Sequence, residues 1–351
     1  MNVSIIDLGT VGPDGDESRA LAESIRTAQH AEAHGFHRVW FAEHHVTASN
    51  ASHHPELLIA AAGAQTSRIH VGSGSVLLNH YSPLKVAEMF QQLEAMYPGR
   101  VDLGIGRASG GPAIDLALRP DRRSQPVDDH PQRVAEVLAW LEGTFPAEHP
   151  FAGHPLMPSV TGRPSTWLLG SSPQGAGLAA QLGLGYTFAG FINPGAAAGA
   201  LQDYRRRFRR RDAGPAEPRA MLAVNVSLGE DDDDGRRLVG SAKGFYARLG
   251  RLGAAATIPP GDVGLAELTP EQRDEPTSIV RGRWPRFVAG GPDAVRATLE
   301  EMLQQSGADE LMVQNLIADP EDRRASHARL ARLLGLQSAA RPEAAPARSG
   351  T

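Results

Sequence analysis

The chain has no cysteine in 351 residues, which removes a disulfide framework, a thiolate nucleophile and a thiolate-bound zinc at once. Aromatic residues are scarce at 5%, so no stacking platform stands out. Lysine is almost absent as well: Lys85 and Lys243 are the two, and arginine carries the remaining positive charge. Basic and acidic side chains number 35 and 40, a formal net charge of -5, which argues against a nucleic-acid or anionic-membrane surface and for small-molecule chemistry. No apolar run approaches the roughly 18 residues needed to span a bilayer. The N-terminus enters a strand-like run with no basic-then-apolar leader, so a soluble cytoplasmic protein is expected.

What is present is alternation. Residues 3–8 read as a strand, 17–34 as a helix with Leu21, Ile25 and Ala28 on its apolar face, 38–41 as a strand and 55–66 as a helix. Strands at 70–78 and 101–106 flank a helix that Pro83 opens, its buried face marked by Val86, Phe90, Leu93 and Tyr97. Further strands fall at 166–170, 185–189, 221–228 and 311–314, with helices at 131–141, 174–181 and 194–211. Eight such βα units predict a parallel sheet closed into a (β/α)8 TIM barrel, one domain over 1–336. Residues 250–285 break the repeat and are expected to form an excursion over the barrel mouth. Residues 286–289 add a minor strand, and 337–351, rich in Ala, Pro and Arg without periodicity, read as a disordered tail.

Within this frame the run Val39-Trp40-Phe41-Ala42-Glu43-His44-His45 is the most informative, because an apolar strand stops at a carboxylate and two imidazoles. Catalytic groups of a parallel barrel sit at the carboxyl ends of its strands. Taken alone the trio fits solvated loop residues equally well. Nine of the 13 histidines lie between His30 and His80, which keeps a metal site open, but no ligand spacing of known type appears and no metal ligand is assigned. Glu230-Asp231-Asp232-Asp233-Asp234-Gly235 has Ser241 where a calcium loop needs its final glutamate and reads as a solvated helix start. Arg205 to Arg211 reads as a solvated basic helix face that could attract an anion. Gly104-Ile105-Gly106-Arg107-Ala108-Ser109-Gly110 places its last glycine one residue late for a dinucleotide fingerprint.

Read in order, Phe41-Ala42-Glu43-His44-His45, His70-Val71-Gly72-Ser73-Gly74-Ser75, Ser82-Pro83 with Glu88, Pro98 to Arg107, and Leu168-Leu169-Gly170-Ser171-Ser172 resemble the bacterial luciferase-like, flavin-dependent monooxygenases. The likeness reaches to about Leu334 and is nearest to oxygenases of natural-product pathways. It implies reduced FMN, O2 and a C4a-peroxyflavin that oxygenates a small organic substrate, with a separate reductase supplying the flavin and a homodimer formed through the helices at 55–66 and 83–96. It implies His44 as general base and His45 as its orienting neighbour. It places Leu169 and Ala189 in the flavin pocket and a non-proline cis peptide at Gly74-Ser75, where an ordinary strand end reads equally well. Gly106 stands where many members carry a cysteine.

A flavin phosphate also needs a cation and donors. Arg107 suits bidentate phosphate contact, Ser171 and Ser172 stand at a helix N-terminus, and Gly175 lets backbone come close. Singly, Arg107 fits a structural salt bridge and the serine pair a helix cap. Together, at the ends of different strands, they favour phosphate. The alternatives are the deazaflavin F420 in hydride transfer, a metal-dependent barrel hydrolase, and a non-catalytic flavin-binding subunit. Substrate recognition is expected from loops 50–54, 109–125 and 250–285.

Overall fold

The computed structural model describes residues 1–107, 111–119, 122–123 and 128–337. The tail expected to be disordered therefore lies, from residue 338 on, outside the described residues, as do Ala108 to Gly110.

The first half of the chain contributes β1 (Asn2–Asp7), α1 (Glu17–Ala33), β2 (Arg38–Phe41), α2 (Pro55–Gln65), β3 (His70–Ser73), β4 (Val76–Leu77), α3 (Pro83–Met96), β5 (Val101–Gly106), α4 (Pro112–Leu118) and α5 (His130–Glu142). Then come β6 (Ser165–Gly170), α6 (Pro173–Leu182), β7 (Gly185–Ala189), α7 (Pro194–Arg207), β8 (Ala220–Leu228) and α8 (Asp232–Leu252). The chain continues with α9 (Gly261–Ala266), α10 (Pro270–Arg273), β9 (Phe287–Gly290), α11 (Pro292–Ser306), β10 (Glu310–Gln314) and α12 (Pro320–Leu333). All strand pairs within the sheet are parallel, in the order β10-β1-β2-β3-β5-β6-β7-β8, and β10 pairs back to β8 through Leu311↔Leu222 to close an eight-stranded barrel. β9 is a minor strand outside the ring: it pairs with β8 from Asn225↔Phe287 to Leu228↔Gly290, where β10 has left it.

Several expectations are corrected. The strand expected over 70–78 is divided into β3 and β4 by a cis peptide at Gly74-Ser75. The basic helix stops at Arg207. On α1 the buried face is Ala20, Ser24, Thr27, Ala28 and Ala31, whereas Leu21 is exposed. Small side chains let α1 lie close, and Ser24 is drawn inward by a 2.6 Å hydrogen bond to Asp7.

The excursion begins later than expected, because α8 runs unbroken to Leu252. Its α9 lies close against α8, since a Cβ on Gly240 would stand 2.2 Å from the Gly261 carbonyl oxygen and one on Gly264 2.1 Å from that of Gly240. The excursion reaches the rim, where the Ala48 N-H donates to the Ala254 carbonyl at 2.9 Å.

Inside the barrel, alternate strand residues face one another. The lower interior is filled by a charged and aromatic plug. Arg38 donates to Glu310 at 2.7 and 3.1 Å and to Asp102 at 2.7 Å, and Trp40 donates to Asp102 at 2.9 Å. Trp40 and Trp167 meet edge to face at 5.6 Å. The buried guanidinium holds the Asp102 carboxyl down to about 2 against the opposing effect of burial.

Candidate active site

Two residues past Trp40, just beyond β2, stands Ala42, with Gly74 next to it just beyond β3, and Gly106 ends β5 beside Leu77. Little side chain therefore projects over the aromatic plug on this side of the mouth. Gly74 rests directly on the floor, its missing Cβ falling 2.9 Å from Ile6 Cδ1 and 3.0 Å from Trp40 Cβ. Ser75 lies over Gly106. Ala42 and Gly74 are thus the small positions that leave room for a flat ring at the strand ends, whereas the space beside Gly106 is taken by Ser75.

The β2 end turns sharply into a loop folded on itself. His44 N-H donates to the Ser52 carbonyl at 3.0 Å, the His53 ring donates to the His44 carbonyl at 2.6 Å, and the Ala51 N-H donates to Gly9 at 2.8 Å. Val46, β-branched and exposed, sits in the left-handed region at φ 50, a conformation costly for such a side chain. With its main chain pinned, the His44 ring has no partner for Nδ1, which is buried. The residue keeps some accessible surface, yet protein surrounds the ring closely, and that burial, with His45 and His53 nearby, lowers its pKa to about 4. At neutral pH His44 is a neutral imidazole with an unspent nitrogen, the state a proton acceptor needs.

His45 is held differently. Its Nε2 donates to Glu43 Oε1 at 2.7 Å, and the same carboxylate takes the Tyr81 hydroxyl at 2.7 Å and the Leu77 N-H at 2.8 Å. The Glu43 side chain is 1% exposed. Burial and the Glu43 charge push the Tyr81 hydroxyl far up, so it remains a donor. The two histidines are thus unlike: His45 is fixed by a carboxylate, while His44 is free at its ring nitrogen.

On the next part of the rim, Gly106 is paired with Leu169, so Arg107 and Gly170 leave neighbouring strands side by side. Arg107 is exposed and pairs with Asp128 at 3.1 Å. The salt bridge considered for it from the sequence is present. Ser172 caps α6, accepting from the Gly175 N-H at 3.3 Å, and Ser171 offers its carbonyl to Asn193 at 3.1 Å. The close approach that Gly175 permits is to Tyr186, whose hydroxyl would lie 3.1 Å from an added Cβ and which donates to the Ser172 carbonyl at 3.2 Å. Ala189 ends β7 beside this helix. The assigned site residues therefore lie at the carboxyl ends of the strands or in the turns that follow them, except Gly175, which lies in the first turn of α6. Sequence reasoning missed Tyr81, Asp128 and Asn193. Tyr81, one of five tyrosines and directly before Ser82-Pro83, was the one with a signal.

Among the described residues no group of three or more ligating side chains is placed to hold a metal ion. Nor is any described helix long and apolar enough to cross a membrane.

Residues 1–310 match the family model of the luciferase-like monooxygenases. A luciferase-like monooxygenase of Escherichia coli (strain K12) is 34% identical over 322 residues, 91% of this chain and 93% of that protein. The crystal structure of apo-MsnO8 superposes with a TM-score of 0.86 at 38% identity, covering 96% of this chain and 99% of the other. At 21% identity the fold alone is shared with the oxygenating constituent of 3,6-diketocamphane monooxygenase from Pseudomonas putida in complex with FMN, at a TM-score of 0.68 over 95% of this chain and 97% of that one.

Proposed function

The chain belongs to the luciferase-like monooxygenase family, and on that premise we propose that it binds reduced FMN at the barrel mouth and uses O2 to oxygenate a small organic substrate. The observation that carries this reading is one rim holding three things: a free neutral imidazole at His44, small interior positions at Ala42 and Gly74, and a cation beside a helix N-terminus on adjacent strands. The residues fit the cofactor, since a phosphate needs the latter pair and a flat ring needs the small positions.

In this reading Arg107 exchanges Asp128 for the phosphate, a swap that an exposed ion pair worth at most about 1 kcal/mol permits. Ser171 and Ser172 add hydroxyl donors at the start of α6, where the helix dipole favours an anion. Leu169 and Ala189 line the ring. Bound reduced flavin supplies the electrons that activate oxygen. The His44 ring would accept a proton from the bound substrate and return it, while the Glu43-held His45 limits the movement of its neighbour. A separate reductase supplies the flavin, and a homodimer forms through α2 and α3, where Leu57 and Met96 are 68% and 51% exposed.

Anaerobic titration with reduced FMN and, separately, reduced F420 tests the cofactor. Tighter binding of FMN, weakened at least about tenfold by Arg107→Ala, is expected. Preference for F420, or no oxygen-dependent product from a substrate panel with FMN and a reductase, would remove the oxygenase reading.

A further inference from the structure

At the opposite, amino-terminal end of the barrel lies a hollow of about 210 Å³ between the start of β6, the start of β7, the end of α5 and the turn at Arg211 to Pro215. Arg163, Arg211 and Arg219 line it, with Glu142 as the one carboxylate. Ser165 and Thr166 add hydroxyls. Glu142 is already taken by Arg211, whose side chain is 25% exposed and whose Nε is buried without a hydrogen-bond partner. Arg163 and Arg219 pair with no carboxylate, and their side chains donate to no carbonyl, among the described residues. They are therefore not spent on the helix ends nearby. By contrast Arg205 pairs with Asp309, and Arg206 and Arg207 pair with Asp203.

With Glu142 paired to Arg211, the three guanidiniums leave the hollow an excess of positive charge that an anion would offset, and planar N-H forks match the oxygens of phosphate. The volume is below the roughly 300–1,000 Å³ of a drug-sized site, which limits the occupant to a small group. We propose that this hollow is a binding site for a small multivalent oxyanion of the phosphate class, held by Arg163, Arg211 and Arg219. The site is independent of the flavin reading, because the proposed flavin anchor at Arg107 lies at the other end of the strands.

The test is isothermal titration of the full chain with inorganic phosphate, in low-salt buffer free of other oxyanions. Arg107→Ala serves as the parent, so that the mouth contributes no anion site. Binding is expected in that parent, and it should weaken at least about tenfold when Arg163→Ala and Arg219→Ala are added. Both arginines are exposed, so an unchanged thermal midpoint is expected to show an intact fold. A parallel titration with glycerol phosphate separates the sources. Equal affinity assigns the site to the end of a phosphate ester, and preference for phosphate assigns it to the free ion. Absence of phosphate binding in the parent, equal binding after both substitutions, or equal displacement by chloride at matched ionic strength would overturn the proposal.

Discussion

The Ser75 hydroxyl occupies the space a side chain on Gly106 would need: an added Cβ would stand 2.0 Å from Ser75 Oγ and 2.9 Å from its Cβ. The position at which many family members carry a cysteine is thus filled here from the neighbouring segment. Gly106→Ala should cost about 1–3 kcal/mol by overpacking, and adding Ser75→Gly should recover most of it. Urea midpoints of the two single variants and the double variant close the cycle; strictly additive losses would mean that the two side chains do not compete.

Glu43 accepts from Tyr81, His45 and Leu77 together, so its charge is stabilised by three donors in a dry site. Tyr81→Phe removes one hydrogen bond to a charged group and should cost about 1.5–3 kcal/mol. Glu43→Gln keeps the shape but presents an amide N-H to donors, freeing His45. Turnover should fall with flavin affinity little changed, as measured by steady-state kinetics beside flavin titration. Loss of flavin binding instead would assign Glu43 to the pocket wall.

The barrel was legible because its repeat is written in short apolar runs and helix-length connections, and His44 because β2 ends abruptly in polar residues. Tyr81 and Asp128 were not, since each meets its partner, Glu43 or Arg107, across a distance in the chain that no local period encodes. Leu21 misled because apolar spacing measures hydrophobicity, whereas α1 is seated by small residues and the Ser24–Asp7 hydrogen bond. Gly240 lowers the helix propensity of α8, yet it is needed for the approach of α9. The cis peptide at Gly74-Ser75 came into view only through family likeness.

His44 titrates near 4 because of its burial, not near 6.5, so its proton-accepting form persists through the mildly acidic range. The acid limb of kcat/KM should therefore show no inflection at 6.5 from this residue, and His44→Ala should lower turnover by roughly 10²–10⁴-fold. A pH profile of wild type and variant with one substrate decides this. An inflection near 6.5 that vanishes in the variant would contradict the buried, neutral imidazole.

Acid should also weaken the fold. Burial depresses His30 to about 4 and His327 well below its usual value, and these rings lie 6.5 Å apart between α1 and α12, near Arg323 and Arg324. In the unfolded chain both histidines bind protons near 6.5, so between that pH and about 4 the unfolded state holds more protons and gains as pH falls. Each group contributes a slope of at most about 1.4 kcal/mol per pH unit. Urea midpoints at pH 7.5 and 5.0 should differ, and His327→Leu should flatten the difference; an equal decline in the variant would place the acid sensitivity elsewhere.

Lys243, one of two lysines in the chain, is buried on α8, where it makes no salt bridge among the described residues. Its Nζ donates to the carbonyls of Arg273 at 3.0 Å and Glu275 at 2.7 Å, tying the end of α10 to α8, and burial lowers its pKa. An ammonium has three donors and no acceptor, which suits a site made of carbonyl oxygens, whereas a guanidinium fork is too wide and rigid for one converging point. Lys243→Met keeps the length but leaves two carbonyls without donors, at a cost of about 1–3 kcal/mol each where water cannot replace them. Hydrogen exchange across residues 253–286 should accelerate while the barrel strands stay protected. Uniform acceleration throughout the chain would mean that Lys243 supports the whole fold and not the excursion alone.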